Sequence, residues 1–200
     1  VLGLGLGLAV AIPISFLQIF APQPFRLLAS AYERVLRSIP LLVTLFLLFY
    51  GLPSFGIRLA PFTAAVIGVG LRSSAYQSQI FRGAILSISE NQFRAALAMG
   101  MNKIKAFRHI VMPQALRLAI PPWTNELTIV LKDTSMAFAL GVVELVRQGR
   151  YIIVATREPL LIYLTIAAIY LILTLLSNNT LGRLEKRLRI PGIGVEERAR

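Results

Sequence analysis

Apolar and polar positions alternate along this chain in long blocks rather than at strand spacing. The first apolar block covers residues 1–20 and is followed by the break Ala21-Pro22-Gln23-Pro24. Residues 25–38 carry Arg26, Glu33, Arg34 and Arg37, and form a polar connection that leads helically into a second block at 39–54. Pro40 stands near the start of that block, where proline is tolerated in a first turn or kinks a helix already under way. Gly51-Leu52-Pro53-Ser54-Phe55-Gly56 is turn-rich. A third block, 60–86, is interrupted by Arg72-Ser73-Ser74 and by Gln77-Ser78-Gln79. Residues 87–109 are polar. The fourth block, 110–145, is broken, holding Arg117, Pro121, Pro122, Glu126, Lys132 and Asp133. The fifth, 159–178, is the cleanest, and a basic tail with Arg183, Lys186, Arg187 and Arg189 follows. A bilayer-spanning helix needs about 20 apolar residues, so the pattern predicts an all-α membrane protein of about five transmembrane helices in a single domain over 1–200. A polar helical elbow over residues 87–109 is expected between the third and fourth.

Composition agrees. The 200 residues are 56% hydrophobic and only 15% charged, with a mean hydropathy of +0.70. That excludes an ordinary soluble enzyme and a disordered chain, and the absence of cysteine excludes a disulfide scaffold. The net charge of +12 raises nucleic acid as a partner, but the basic residues sit between apolar blocks, which is how membrane proteins mark cytoplasmic loops. With five spans, Arg26, Arg34, Arg37, Arg82, Arg94, Lys103, Lys105, Arg108 and the tail fall on one side. Arg58, Arg147, Arg150 and Arg157 fall on the other. The ratio of about three to one predicts an outside N-terminus, with the elbow and C-terminus cytoplasmic. The opening at Val1, already apolar and without Met, suggests a trimmed start or a short first span. Gly3, Gly5 and Gly7 either permit close helix contact or are incidental on a lipid-facing helix.

The segment Glu90-Asn91-Gln92-Phe93-Arg94-Ala95-Ala96-Leu97-Ala98-Met99-Gly100 predicts a short helix. Phe93 and Leu97 share a face at i and i+4, and Gly100 supplies the stop. Lys103 to His109 starts a second helix at an angle. This elbow resembles the coupling loop of ABC-type importer permeases, whose pattern is Glu-Ala-Ala, three residues, Gly, nine residues, Ile, any residue, Leu, Pro. Ala95-Ala96, Gly100, Ile110 and Pro113 fall at that spacing. Arg94 stands where the family has Glu, and Met112 where it has Leu. Ser38-Ile39-Pro40-Leu41-Leu42-Val43, Ala75-Tyr76-Gln77-Ser78-Gln79-Ile80-Phe81-Arg82-Gly83, Pro113-Gln114-Ala115-Leu116-Arg117 and Lys132-Asp133-Thr134-Ser135-Met136 are similar to the polar amino-acid branch of that family. There Gln79 is usually Glu.

The resemblance implies a plasma-membrane permease subunit that moves a polar amino acid from an extracytoplasmic binding protein into the cytoplasm by alternating access. It implies a separate cytoplasmic ATPase dimer carrying the ATP and Mg, docked on Glu90, Phe93, Arg94, Ala95, Ala96, Leu97, Gly100 and Lys103. No Gly-x-x-x-x-Gly-Lys-Ser/Thr loop is present, so this chain is expected to be no ATPase and to bind no cofactor itself. Five spans enclose too little for a path, so a second permease subunit, identical or paralogous, is expected about a twofold axis.

Candidate path residues are Glu126, Tyr76, Ser74, Gln77, Asn125 and Asp133. An acid at membrane depth faces a partner or a water-filled cavity. Glu126 therefore either lines the path, favouring a basic amino acid, or pairs structurally with Lys132 or Arg117. Thr128 shares its side of the helix. Ser73, Ser74, Tyr76 and Gln77 either line the path or hold helices together by hydrogen bonds. Lys132 and Asp133 either neutralise each other or form part of a gate where Thr134 and Ser135 bend the helix. His109, the sole histidine, has no companion for a metal site. Glu144, Glu158 and the arginines between them form either a landing surface for a binding protein or a solvated loop. The alternatives are a permease of the same architecture for another small solute such as an organic cation, a self-sufficient channel, and an intramembrane hydrolase. The last lacks His-Glu-x-x-His and Gly-x-Ser-x-Gly.

Overall fold

A stripe of small side chains brings the first helix against the longest buried one. In a computed structural model describing residues 1–188, α1 (Leu2–Phe20) buries Gly3, Gly7, Ala11, Ser15 and Gln18. These repeat about once per turn and lie against α4 (Pro61–Leu86). A Cβ on Gly3 would lie 2.9 Å from Val69 Cγ1, and one on Gly7 2.8 Å from Gln77 Nε2. Gly5 meets nothing within 4 Å. Two of the three opening glycines therefore serve close approach, and the third is incidental. Lipid tails are as apolar as the helices, so this packing depends on backbone proximity rather than on hydrophobic burial. Residue 3 lies beside 69, 7 beside 70 and 73, and 18 beside 79, so α1 and α4 run parallel. The chain must therefore run back between them.

That return is made in two pieces. α2 (Gln23–Ser38) and the segment Leu41–Phe55 meet at a 104° bend. Ile39 is extended (φ −90°, ψ 129°), as a residue before proline prefers. The preceding stretch is thus helical, and the chain bends at Pro40, where the sequence placed a helix start or a kink. The second piece starts as α3 (Leu41–Phe46) and passes through a π turn, Leu47–Gly51, and a 3-10 turn, Leu52–Phe55. It ends at Gly56 in the left-handed region (φ 81°).

After α4 comes the elbow, α5 (Glu90–Ala98) and α6 (Lys103–Ala106), then a π turn Phe107–Val111 and α7 (Met112–Asp133). α7 tightens into a 3-10 run, Thr134–Leu140, that stops at Gly141 (φ 90°). α8 (Leu145–Thr156) and α9 (Pro159–Leu188) complete the described chain. No strand occurs among the described residues. Arg189 and the rest of the tail lie outside them, as do the side chains of Lys186 and Arg187.

Two helices are long and apolar enough to cross a bilayer, or three if the bent pair is one span, among the described residues. α4 and α7 have the length but not the composition, because each carries charged and polar groups inward. An apolar cluster of Leu41, Leu45, Ala64, Ala65, Val69, Val130, Ala137 and Leu140 packs one end of the bundle. A second, Ala84, Ala115 and Ala119, packs the end next to the elbow. The buried polar residues Ser73, Ser74, Gln77, Ser78, Thr124, Glu126 and Thr128 lie between them in sequence on α4 and α7. α9 is almost wholly exposed, with 6% of its apolar window buried, as a lipid-facing helix is.

Candidate functional site

The polar residues of α4 and α7 divide into a buried set and an open set. In the buried set, Ser73 Oγ donates to Glu126 Oε1 at 2.8 Å. Gln77 Nε2 donates to Ser73 Oγ at 2.9 Å and to the Leu4 carbonyl at 3.2 Å. Trp123 Nε1 donates to Gln77 Oε1 at 2.8 Å. This chain of bonds ties α1, α4 and α7 together. Glu126 is 3% exposed and Gln77 fully buried, so both stand within the helix interface and not on an open wall. Neither Lys132 nor Arg117 pairs with Glu126 among the described residues. The partner the sequence did not single out for it is Ser73. Ser74 is also buried, bonded to the Tyr32 hydroxyl at 2.7 Å, and Thr128 bonds back to the Asn125 carbonyl.

The open set follows helical spacing. On α4, Arg72, Tyr76, Gln79 and Gly83 recur at i, i+4, i+7 and i+11 and stay at least partly exposed. On α7, Leu118, Pro122, Asn125 and Lys132 lie at i, i+4, i+7 and i+14 and are likewise at least partly exposed. The two faces meet along a groove of about 350 Å³ lined by Gln79, Gly83, Ser87, Leu118 and Pro122. Further along α4 the faces are joined by Arg72 Nη1 donating to Asp133 Oδ2 at 2.6 Å. Asp133 thus pairs with Arg72 and not with its neighbour Lys132, which is exposed. The Arg72 guanidinium also lies 4.6 Å from the Tyr76 ring centroid, and that of Arg37 lies 5.0 Å from it. Cations held over an aromatic face are attracted by its quadrupole. Arg37 in turn is paired with Glu33. Arg37 therefore belongs to this cluster on α4, not to the loop cations with which its sequence position groups it. Sequence reasoning missed Arg72 and Arg37 because their nearest charged partners lie on other helices or one turn away.

A larger cavity of about 460 Å³ lies between α1, α4 and α7, lined by side chains such as Leu8, Ile12, Phe16, Phe81, Leu116 and Ile120. It offers a polar solute almost no hydrogen-bonding partner.

The elbow is built from caps. Ser89 Oγ accepts from the Asn91 amide and Asn102 Oδ1 from the Lys105 amide at 2.8 Å. Gly100 turns the chain with φ 86°. Ala96 is 1% and Ala106 0% exposed, with Phe93 and Leu97 half-buried, so α5 packs back on the turn Phe107–Val111. Of the apolar edge, Ala96 seals the elbow itself, while Phe93 and Leu97 keep part of their surface exposed. What protrudes is Glu90, Arg94, Ala95, Gly100 and Lys103, together with Met99 at 72% and Ile104 at 78% exposure. Those two were not singled out, because a lone Met or Ile has no periodic signature beside a glycine turn.

The chain is thus helical, with a polar wall on two adjacent helices and a capped, protruding elbow. Residues 3–190 match the family of binding-protein-dependent transport system inner membrane components, and the chain belongs to it. It is 38% identical over 192 residues to the glutamine transport system permease protein of Escherichia coli, covering 95% of this chain and 88% of that one. It is 36% identical over 183 residues to the L-cystine transport system permease protein of Bacillus subtilis, covering 91% and 78%. Among solved structures it superposes on an amino acid ABC transporter with histidines, with a TM-score of 0.89, 34% identity and coverage of 93% and 87%. The inward-facing methionine transporter MetNI shares the fold, with a TM-score of 0.74 at 21% identity and coverage of 94% and 88%. The chain is thus an amino-acid ABC importer permease of the polar amino-acid branch and a membrane protein.

Proposed function

We propose that this subunit passes a polar, zwitterionic amino acid along the α4–α7 wall, with Arg72, Tyr76, Asn125 and Asp133 in contact with it. The observation that carries the reading is the Arg72–Asp133 pair, with side chains 20% and 17% exposed, placed where α7 tightens at Thr134. Ionisable groups at membrane depth are expensive and occur facing one another or a polar path. A zwitterion brings one carboxylate and one ammonium, so it exchanges for this pair without any change in net charge; a lone ion does not. Glutamine and L-cystine, named for two relatives, share that zwitterion and differ in side chain, which supports recognition of the common part. Glu126, Gln77 and Ser74 act one layer behind, holding α4 against α1, α2 and α7.

The substrate arrives from an extracytoplasmic binding protein and crosses by alternating access between this subunit and a second permease copy or paralogue. A separate cytoplasmic ATPase pair, docked on the elbow, binds ATP and Mg and hydrolyses the nucleotide. The N-terminus lies outside, with the elbow and C-terminus inside. The parallel course of α1 and α4 supports an equal sense of crossing for both.

Uptake by vesicles holding the permease, ATPase and binding protein tests this, comparing Arg, Lys, His, Gln and Glu with a decarboxylated amine. We expect ATP-dependent uptake of an amino acid, none of the amine, and loss of transport in Arg72→Gln and Asp133→Asn. In Glu126→Gln the rate falls while the order of preference stays. Uptake unchanged in both pair variants sinks the wall assignment. A collapse of basic-substrate preference in Glu126→Gln would return that carboxylate to the path itself.

A further inference from the structure

The elbow carries a charge pattern that its packing does not use. Arg94 stands at the position where the resembling loops have Glu. Its Nη2 and Nε donate to Glu90 Oε1 at 2.9 and 3.3 Å, one turn back on the same helix. Both side chains remain open, at 69% and 74% exposure. An exposed pair of this kind is worth little, so a partner can take either member at small cost. Lys103, Lys105, Arg108 and His109 are exposed alongside. Between residues 90 and 109 four permanent cations face a single carboxylate, Glu90. In their midst Met99 and Ile104 protrude on either side of the Gly100 turn. Two bare apolar knobs with a basic rim are the complement of an apolar pit with an acidic rim.

We infer that the ATPase groove receiving this elbow has an apolar floor for Met99 and Ile104 and an acidic rim, one carboxylate of which takes Arg94 from Glu90. This rests on the docking role given above and specifies the partner's chemistry. Smooth small positions at Ala95 and Ala98, both exposed, let a protein wall approach closely. An anionic lipid surface would satisfy the cations without needing the apolar knobs.

The test uses the full permease in nanodiscs of phosphatidylcholine and the purified ATPase subunit of the same transporter, with affinity measured over a series of salt concentrations. Arg94→Gln and Glu90→Gln remove the same intrahelical pair, so a merely structural role predicts equal effects. The acidic-groove inference predicts opposite ones. Arg94→Gln weakens binding about tenfold and flattens the salt dependence, since a rim charge acts through screened attraction. Glu90→Gln tightens it about two- to fivefold by removing an acid beside an acidic rim. Arg94→Glu is weaker still, and exchanging the facing ATPase acid for Lys restores it. Equal losses in the two glutamine variants, or no loss in Arg94→Gln, overturn the inference. So does an Arg94→Gln effect that appears only in nanodiscs with phosphatidylglycerol. If Met99→Ser with Ile104→Ser also leaves binding intact, the docking reading itself fails, which is a different result from silence at Arg94 alone.

Discussion

Replacing Gly7 by Ala tests the close approach of α1 to α4 at a single methyl group. The added Cβ would stand 2.8 Å from Gln77 Nε2, 3.0 Å from Ser73 Cβ and 3.2 Å from the Gly70 carbonyl oxygen. Ordinary contact begins near 3.4 Å, so two fixed groups and one hydrogen-bonded amide must all give. Overpacking of this kind costs about 1–3 kcal/mol. Displacing Gln77 also weakens its interhelical bond to the Leu4 carbonyl, at about 0.6 kcal/mol in a membrane. Against this, Ala in place of Gly favours the helix by up to about 1 kcal/mol. The net is a destabilisation of about 1–2 kcal/mol, which for a chain of this size lowers the melting temperature by roughly 3–6 °C. Gly5→Ala is the matched control: its Cβ meets nothing within 4 Å, so only the helix-favouring contribution remains and the melting temperature holds or rises. Thermal unfolding of the purified permease in detergent, followed by loss of the monodisperse peak, reads both. Equal shifts for the two alanines, or a Gly7→Ala protein as stable as wild type, would refute the stripe as the reason these helices meet.

Two further outcomes follow from the structure. Glu144 caps α8, accepting from the amides of Val146 and Arg147 at 2.9 and 2.7 Å, so Glu144→Ala should destabilise by about 0.5–2 kcal/mol; hydrogen exchange confined to the first turn of α8 would show it, and unchanged protection there would refute it. Gly149 is the point at which Ile166 and Ile162 of α9 lie against α8, so Gly149→Val should loosen α8 from α9 by about 1–3 kcal/mol, seen as proteolytic cleavage near Arg157; cleavage no faster than wild type would count against that contact.

The apolar blocks, the proline-marked helix starts and the Gly100 turn are local properties, and sequence determined them alone. A run of about 20 apolar residues has little alternative to a helix in lipid, and a residue at φ 86° favours glycine whatever surrounds it. The elbow's spacing was equally legible, because capping and helix stops act within a few residues. Pairing between helices was not. Glu126 reads from sequence as a path residue or as the partner of Lys132 or Arg117, its nearest cations in the chain, yet it lies buried against Ser73, 53 positions away. Asp133 reads as a path or gate residue or as the partner of Lys132, and its ion pair is with Arg72 across 61 positions. Adjacent residues on a helix point about 100° apart, so the neighbour in sequence is the one a side chain cannot easily face. Which of the three opening glycines mattered was likewise settled only when α4 presented Val69, Ser73 and Gln77 to one side of α1. Sequence set which helices form and how polar each is; the angle at which they pack decided which polar groups were walled in and which were left open to a path.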